Sequence, residues 1–260
     1  DAWLQGRLAE LLPVPYLPLV FTLPHELHAL YGAHPRWVID TLFASTAATL
    51  NAFAANARWM GVAGGVPAFS LVLHTWTQDL ARHIHLHAVM ACGVLQGDHW
   101  HAPRRKPDFL FPVQALSKVY RGKFLQALAD AHRDGHMAHD PQGQDDAWRE
   151  RQRALWRHAW VVYAKAPLGG PAQALEYLSR YTHRTAIGNE RIRAVTDSEV
   201  VFTVRADDKG GKKKIHLSGA EFVRRVLLHV LPTGIKRIRH YGVLAAACKG
   251  KKLDAARADL

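Results

Sequence analysis

Apolar residues recur along this chain in two rhythms, one of alternation and one of three and four. Leu17 to Leu23 is a short apolar, partly β-branched run that predicts a strand, and Pro24-His25-Glu26 opens a helical stretch with proline near its first turn. Between Arg36 and Met60, Val38, Leu42, Phe43, Ala47, Leu50, Phe53 and Ala54 fall three and four apart, which predicts one long helix stopped by Gly61. Phe69 to Leu73 and His83 to Ala91 read as neighbouring strands, joined by a polar connection from Thr75 to Arg82. Pro112 to His132 is amphipathic and helical. Asp146 to Trp160 is a further helix whose Trp148, Trp156 and Trp160 share one face and are expected in the core.

Beyond Trp160 the chain turns strand-like to Ala164, breaks at Gly169-Gly170-Pro171 and continues as helix from Ala172 to Tyr181. Arg191 to Val195, Glu199 to Arg205 and Lys213 to Leu217 are then strands around the turn 207–211, and Ser218 caps a helix from Glu221 to Val230. Strands and helices interleave without the βαβ rhythm of a parallel sheet. The fold class this predicts is α+β, with a central, largely antiparallel sheet flanked by helices. No repeat and no Ser/Gly linker divides residues 1–260, which read as a single domain; the opening on Asp1 and the close inside a charged, helix-like stretch are what a piece of a longer protein would show.

Composition narrows the function classes. Lys and Arg number 34 against 22 Asp and Glu, a formal charge of +12 with 17 histidines neutral, so a polyanion is the expected partner and nucleic acid the commonest one. Cys92 and Cys248 have no CxxC spacing, which excludes a disulfide scaffold and a cysteine-built zinc ribbon. The longest apolar runs fall far short of the ~20 residues a bilayer span needs, so no membrane partner is expected and the chain reads as unexported and cytoplasmic.

Two stretches carry candidate chemistry. In His83-Ile84-His85-Leu86-His87 a strand would put the three imidazoles on one face and the apolar residues on the other, with alternate residues about 7 Å apart, near enough to share one metal ion. In Tyr177-Leu178-Ser179-Arg180-Tyr181-Thr182-His183-Arg184 the two phenols lie one helical turn apart. Tyrosine is a poor nucleophile at its ordinary pKa of ~10, but a nearby cation or a metal-polarised phosphate makes its attack feasible, and Arg180, His183 and Arg184 supply local positive charge.

Together with Phe21-Thr22-Leu23-Pro24-His25-Glu26-Leu27, His74-Thr75-Trp76, Tyr163-Ala164-Lys165, Gly169-Gly170-Pro171 and Ile238-Arg239-His240-Tyr241-Gly242, these stretches resemble, in the same order, the HUH endonuclease superfamily. Within it the likeness is to the two-tyrosine rolling-circle transposases of the insertion-sequence ninety-one type. The resemblance implies that His85 and His87 hold Mg²⁺ or Mn²⁺ and that Tyr177 and Tyr181 are the nucleophiles, Tyr181 being expected first because His183 and Arg184 flank it. The third ligand is left open among His83, Gln78 and Asp79. Single-stranded DNA, from transposon ends and target, is the implied partner and the nucleoid the implied setting. Relatives of this type carry an upstream cysteine-rich zinc-binding module, which residues 1–260 do not contain.

DNA contacts are expected from Lys165, Arg180, His183 and Arg184 and from basic clusters, above all Lys212, Lys213 and Lys214 beside the glycines of a hairpin. The rival readings are a His-metal hydrolase of small molecules on a barrel, which needs eightfold strand-helix repetition, and a non-catalytic nucleic-acid-binding module.

Overall fold

The computed structural model describes residues 11–104, 110–137, 145–182, 186–206 and 210–260; of 145, 146 and 180–182 it describes the backbone alone. The longest strand is β3, Arg82–Gln96, and the rest of the main sheet is arranged around it. β1 (Tyr16–Thr22) and β2 (Val66–Trp76) flank it, β5 (Val162–Ala164) and β9 (Ile238–Gly242) add outward on either side, and β4 (His99–His101) folds back on its end. The six strands run in the order β5-β1-β3-β2-β9 with β4 on β3, and every pairing is antiparallel. That is the α+β architecture predicted, and a parallel barrel is ruled out.

A central strand must satisfy two buried faces. Ile84, Leu86, Ala88, Met90, Cys92 and Val94 of β3 face one core, built with α2 (Pro35–Ala54) and α4 (Val113–Arg133). Val89, Ala91 and Leu95 face the other, where α6 (Pro171–Thr182) and α8 (Lys249–Ala258) pack. His85 and His87 belong to this second face by the same alternation. Leu86, fully buried, sits between them on the opposite side.

The helix expected from Arg36 to Met60 is two helices. After α1 (His28–Ala33), α2 starts on Pro35 and ends at Ala54; Asn56 then accepts a bond from the Arg58 amide at 2.9 Å and caps the short α3 (Ala57–Met60). A side chain that competes for backbone donors favours a cap over helix continuation. Gly61, at φ 80°, closes α3.

On α5 (Asp145–Arg157) the expectation that all three tryptophans are core is corrected: Trp160, beyond the helix end, is buried with its indole donating to the Leu155 carbonyl at 3.1 Å, but Trp156 is 47% exposed. Arg121 lies over the Trp156 ring, so the surface residue is shielded by a cation instead of by the core.

The later strands form a sheet of their own. β6 (Ile192–Val195), β7 (Val200–Arg205) and β8 (Lys212–Leu217) pair antiparallel and, with α7 (Gly219–Leu227), bury Phe202 and Val204 around Leu80. Leu80 reaches that cluster from the β2–β3 turn by adopting φ 64°, a left-handed conformation that a bulky residue takes at a cost of order 1–3 kcal/mol. Among the described residues no helix is long and apolar enough to cross a membrane.

Candidate metal and nucleophile site

Three imidazoles converge on the second face of the main sheet. His85 and His87 stand two apart on β3, and His74 pairs directly across from His85 on β2. One nitrogen from each of the three lies within 4.8 Å of the others, and all three side chains are buried. The His74 ring meets His85 and His87 edge-on at 5.4 and 4.7 Å between centroids.

The residue that converges with His85 and His87 is His74, which is not among the expected His83, Gln78 and Asp79. His83 is half-buried beside His85 and takes part through its backbone carbonyl, which accepts from His85 Nδ1 at 2.9 Å. Gln78 is bonded to the second sheet and Asp79 within its own turn. The Gln78 amide oxygen accepts from the Arg205 amide at 2.8 Å and its carbonyl from Arg191, while Asp79 is bonded by the Thr77 hydroxyl and its carbonyl accepts from Arg225. The sequence signal for His74 existed, as the first residue of His74-Thr75-Trp76. It was hidden because a contact across two strands has no spacing in the chain.

A line of hydrogen bonds fixes the protons in this cluster. The His83 carbonyl only accepts, so His85 Nδ1 carries its ring proton and His85 Nε2 is a bare acceptor. His87 Nε2, 3.1 Å away, must then donate to it, which leaves His87 Nδ1 to accept from the Tyr177 hydroxyl at 3.0 Å. Burial, the largest cause, pushes the His85 pKa down to about 3 and that of His87 to about 2; the neighbouring imidazoles depress both further. Both rings are thus neutral at physiological pH, as a metal ligand must be.

Tyr177 arrives from α6. Gly170 and Pro171 start that helix, and Ala174, Leu175 and Tyr177 bury its inner face against the second core. Tyr177 is 7% exposed, and Lys165 holds its ammonium 5.4 Å from the Tyr177 ring centroid. Lys165 is placed there by β1, whose Pro18 carbonyl accepts from its amide at 3.0 Å.

The side chains of Arg180 and Tyr181, and all of His183 and Arg184, lie outside the described residues. Lys212, Lys213 and Lys214 are exposed on β8 of the second sheet. Other basic residues of the sequence are committed to the fold: Arg224 and Arg225 pair with Glu221, and Arg239 pairs with Asp40 at 2.5 Å and lies over Phe43.

Residues 68–252 match the family model Y2_Tnp, described as "Putative transposase". Over 260 residues the chain is 40% identical to the "Putative transposase y4qJ" of Sinorhizobium fredii (strain NBRC 101917 / NGR234), a match covering 98% of this chain and 65% of that protein. It is 27% identical over 262 residues to the transposase for insertion sequence element IS801 of Pseudomonas savastanoi pv. phaseolicola, covering 97% of this chain and 60% of that one. The chain thus spans less than two thirds of the length of these relatives. Among solved structures, the conjugative relaxase TrwC in complex with oriT DNA, metal-bound, is similar at 14% identity and a TM-score of 0.32, over 64% of this chain and 70% of the relaxase chain.

Proposed function

The chain belongs to the Y2_Tnp transposase family, and from that premise we propose that it nicks and rejoins single-stranded DNA through a phenolic nucleophile beside an imidazole-held divalent cation. The observation that carries the reading is the 3.0 Å bond from the Tyr177 hydroxyl to His87 Nδ1, which puts a phenol one ring away from the cluster His74, His85 and His87.

The donor set fits a divalent cation: three buried nitrogens that converge within 4.8 Å, two of them on rings that burial keeps neutral. Imidazole suits borderline ions, whereas Mg²⁺ prefers oxygen, so of Mg²⁺ and Mn²⁺ the cluster favours Mn²⁺. Held by His74, His85 and His87, such a cation would supply polarisation of a nonbridging oxygen of the scissile phosphate.

The chain's own part is to position the phenol and manage its proton. His87 Nδ1 faces Tyr177 Oη at 3.0 Å; were His87 to hold a cation through its other nitrogen, its ring proton would lie on Nδ1 and would donate to Oη, which would favour the phenolate. Lys165 adds positive charge beside the same ring. Attack of Oη on phosphorus breaks the P–O3′ bond, and the phenolic proton ends on the 3′ oxygen. The products are a 5′-phosphotyrosine and a 3′-OH. Tyr181, one turn further along α6, serves as the second nucleophile for the far end or the target strand. The bond from Tyr177 to His87 supports taking Tyr177 as the first nucleophile, where the charges around Tyr181 had suggested the other order. Arg180, His183 and Arg184 are DNA contacts by virtue of their charge, and the setting is cytoplasmic, on nucleoid DNA.

A labelled single-stranded oligonucleotide incubated with the chain and Mn²⁺ tests the reading. A covalent adduct is expected that disappears in the double variant Tyr177→Phe, Tyr181→Phe while binding persists. An adduct that survives in the double variant overturns it.

A further inference from the structure

Trp76 closes the stretch His74-Thr75-Trp76, and the chemistry above leaves it without a task. Its indole lies parallel to the His74 imidazole, 4.7 Å between centroids and 17° between planes. Residues two apart on a strand share a face. The register slips between them, His74 pairing with His85 and Trp76 with Arg82, and such irregularities add local twist and re-aim side chains beside functional sites.

The indole is itself held in place. The Arg237 guanidinium sits 4.8 Å from its centroid and donates through Nε to the Leu73 carbonyl at 3.2 Å. The His229 ring lies 5.9 Å away, with Nε2 3.1 Å from the Leu80 carbonyl and Nδ1 3.3 Å from the Thr75 hydroxyl. Trp76 is thus a plate anchored by the entry to β9 and by the segment after α7.

We infer that Trp76 is a positioning residue that sets the ring plane of His74 for cation binding; the inference rests on the reading of His74 as a ligand. An imidazole turns about its Cβ–Cγ bond over a broad, two-fold energy profile, so the strand alone does not decide which way its nitrogens face. The His83 carbonyl orients His85 and the Tyr177 hydroxyl orients His87. Against His74 lies the flat indole: turning about Cβ–Cγ tilts the imidazole out of the stack and forfeits the contact. Partners that orient a ligand typically change metal affinity by about 10–100-fold when removed.

The test uses the full chain and Mn²⁺ alone, with free Mn²⁺ counted by electron paramagnetic resonance. Trp76→Leu, which keeps apolar bulk but no plane, is expected to weaken Mn²⁺ binding about tenfold. Trp76→Phe, which keeps a plane, should restore most of it. In metal-free protein the His74 ring protons should lie upfield in the NMR spectrum, under the indole, and move to ordinary positions in Trp76→Leu. In a His74→Ala background, Trp76→Leu should weaken Mn²⁺ no further. Trp76→Met replaces the Leu variant should that one fail to fold. If His74→Ala weakens Mn²⁺ but Trp76→Leu does not, or if the loss persists undiminished in the His74→Ala background, the positioning role is overturned and the ligand reading stands. If His74→Ala itself leaves Mn²⁺ binding unchanged, both fall.

Discussion

The Tyr177 hydroxyl lies 3.0 Å from His87 Nδ1, joining a residue of α6 to one on the central strand ninety positions earlier in the chain. That bond makes Tyr177 part of the imidazole cluster. Tyr177→Phe should leave His87 Nδ1 without this partner in a buried setting, for a stability loss of about 1–3 kcal/mol in thermal or urea unfolding. It should also remove the adduct formed by the first cleavage. An adduct of undiminished yield, mapped by mass spectrometry to Tyr181, would assign the first attack to Tyr181.

His74, His85 and His87 form the buried group, whereas Gln78 is bonded at the second sheet and the Asp79 carboxylate accepts from the Thr77 hydroxyl. Each of His74→Ala, His85→Ala and His87→Ala should weaken Mn²⁺ binding by at least about tenfold. Asp79→Asn and Gln78→Ala should leave it as it was. Calorimetric titration reads this directly, and a loss in Asp79→Asn equal to that in His74→Ala would move the third ligand to Asp79.

β3 shows two chemistries on its two faces, and the faces should fail separately. Leu86 is fully buried among the residues of the helix-covered core. Leu86→Ala should cost about 2–5 kcal/mol of stability while the folded fraction still binds one equivalent of Mn²⁺. A variant with normal stability would mean that this face is not packed as described.

Lys212, Lys213 and Lys214 are exposed on β8, within a chain of formal charge +12. If all three meet phosphates, changing them to Gln should reduce the slope of log affinity against log salt by about 2, each contact contributing ~0.7 on a single strand. Fluorescence anisotropy across a salt series measures it. An unchanged slope would remove β8 from the DNA path.

α8 is tied to β4 by Asp259, which accepts from the Trp100 amide at 2.7 Å and lies 3.0 Å from His99 Nδ1. The bond to Asp259 raises the His99 pKa, and the bond to His99 lowers that of Asp259. The raised imidazole contributes fully below its unfolded value of ~6.5 and its contribution is lost as pH rises through the folded value. The depressed carboxylate contributes above ~3.9 and is lost as pH falls through its own folded value. The tie is therefore complete in mildly acidic solution and weakens on both sides. In an NMR titration His99 should show a midpoint above ~6.5 that Asp259→Asn returns to the ordinary value; identical midpoints would show that the pair does not form in solution.

Periodicity placed most strands of the two sheets but neither β4 nor β9, because a strand that buries alternate residues and a helix that buries every third or fourth leave that record in the order of the chain, whereas the three residues of β4 and the five of β9 leave too little of it. It also put His83, His85 and His87 on one strand face and Tyr177 and Tyr181 one helical turn apart, spacings within a single element, while the choice of His85 and His87 as ligands and of the tyrosines as nucleophiles came from the resemblance. His74 is different: it meets His85 across a strand pair, and register between strands depends on how the faces pack and where the ladder slips, as it does between His74 and Trp76. The core position given to Trp156 failed for a related reason, since a shared helical face does not say how far the neighbouring helix reaches. The residue order therefore decided which chemical groups are present and which face each one takes, whereas bringing His74 to His85, Trp76 to His74 and Tyr177 to His87 required the folded sheet, because those contacts are made by packing between segments that are not neighbours in the chain.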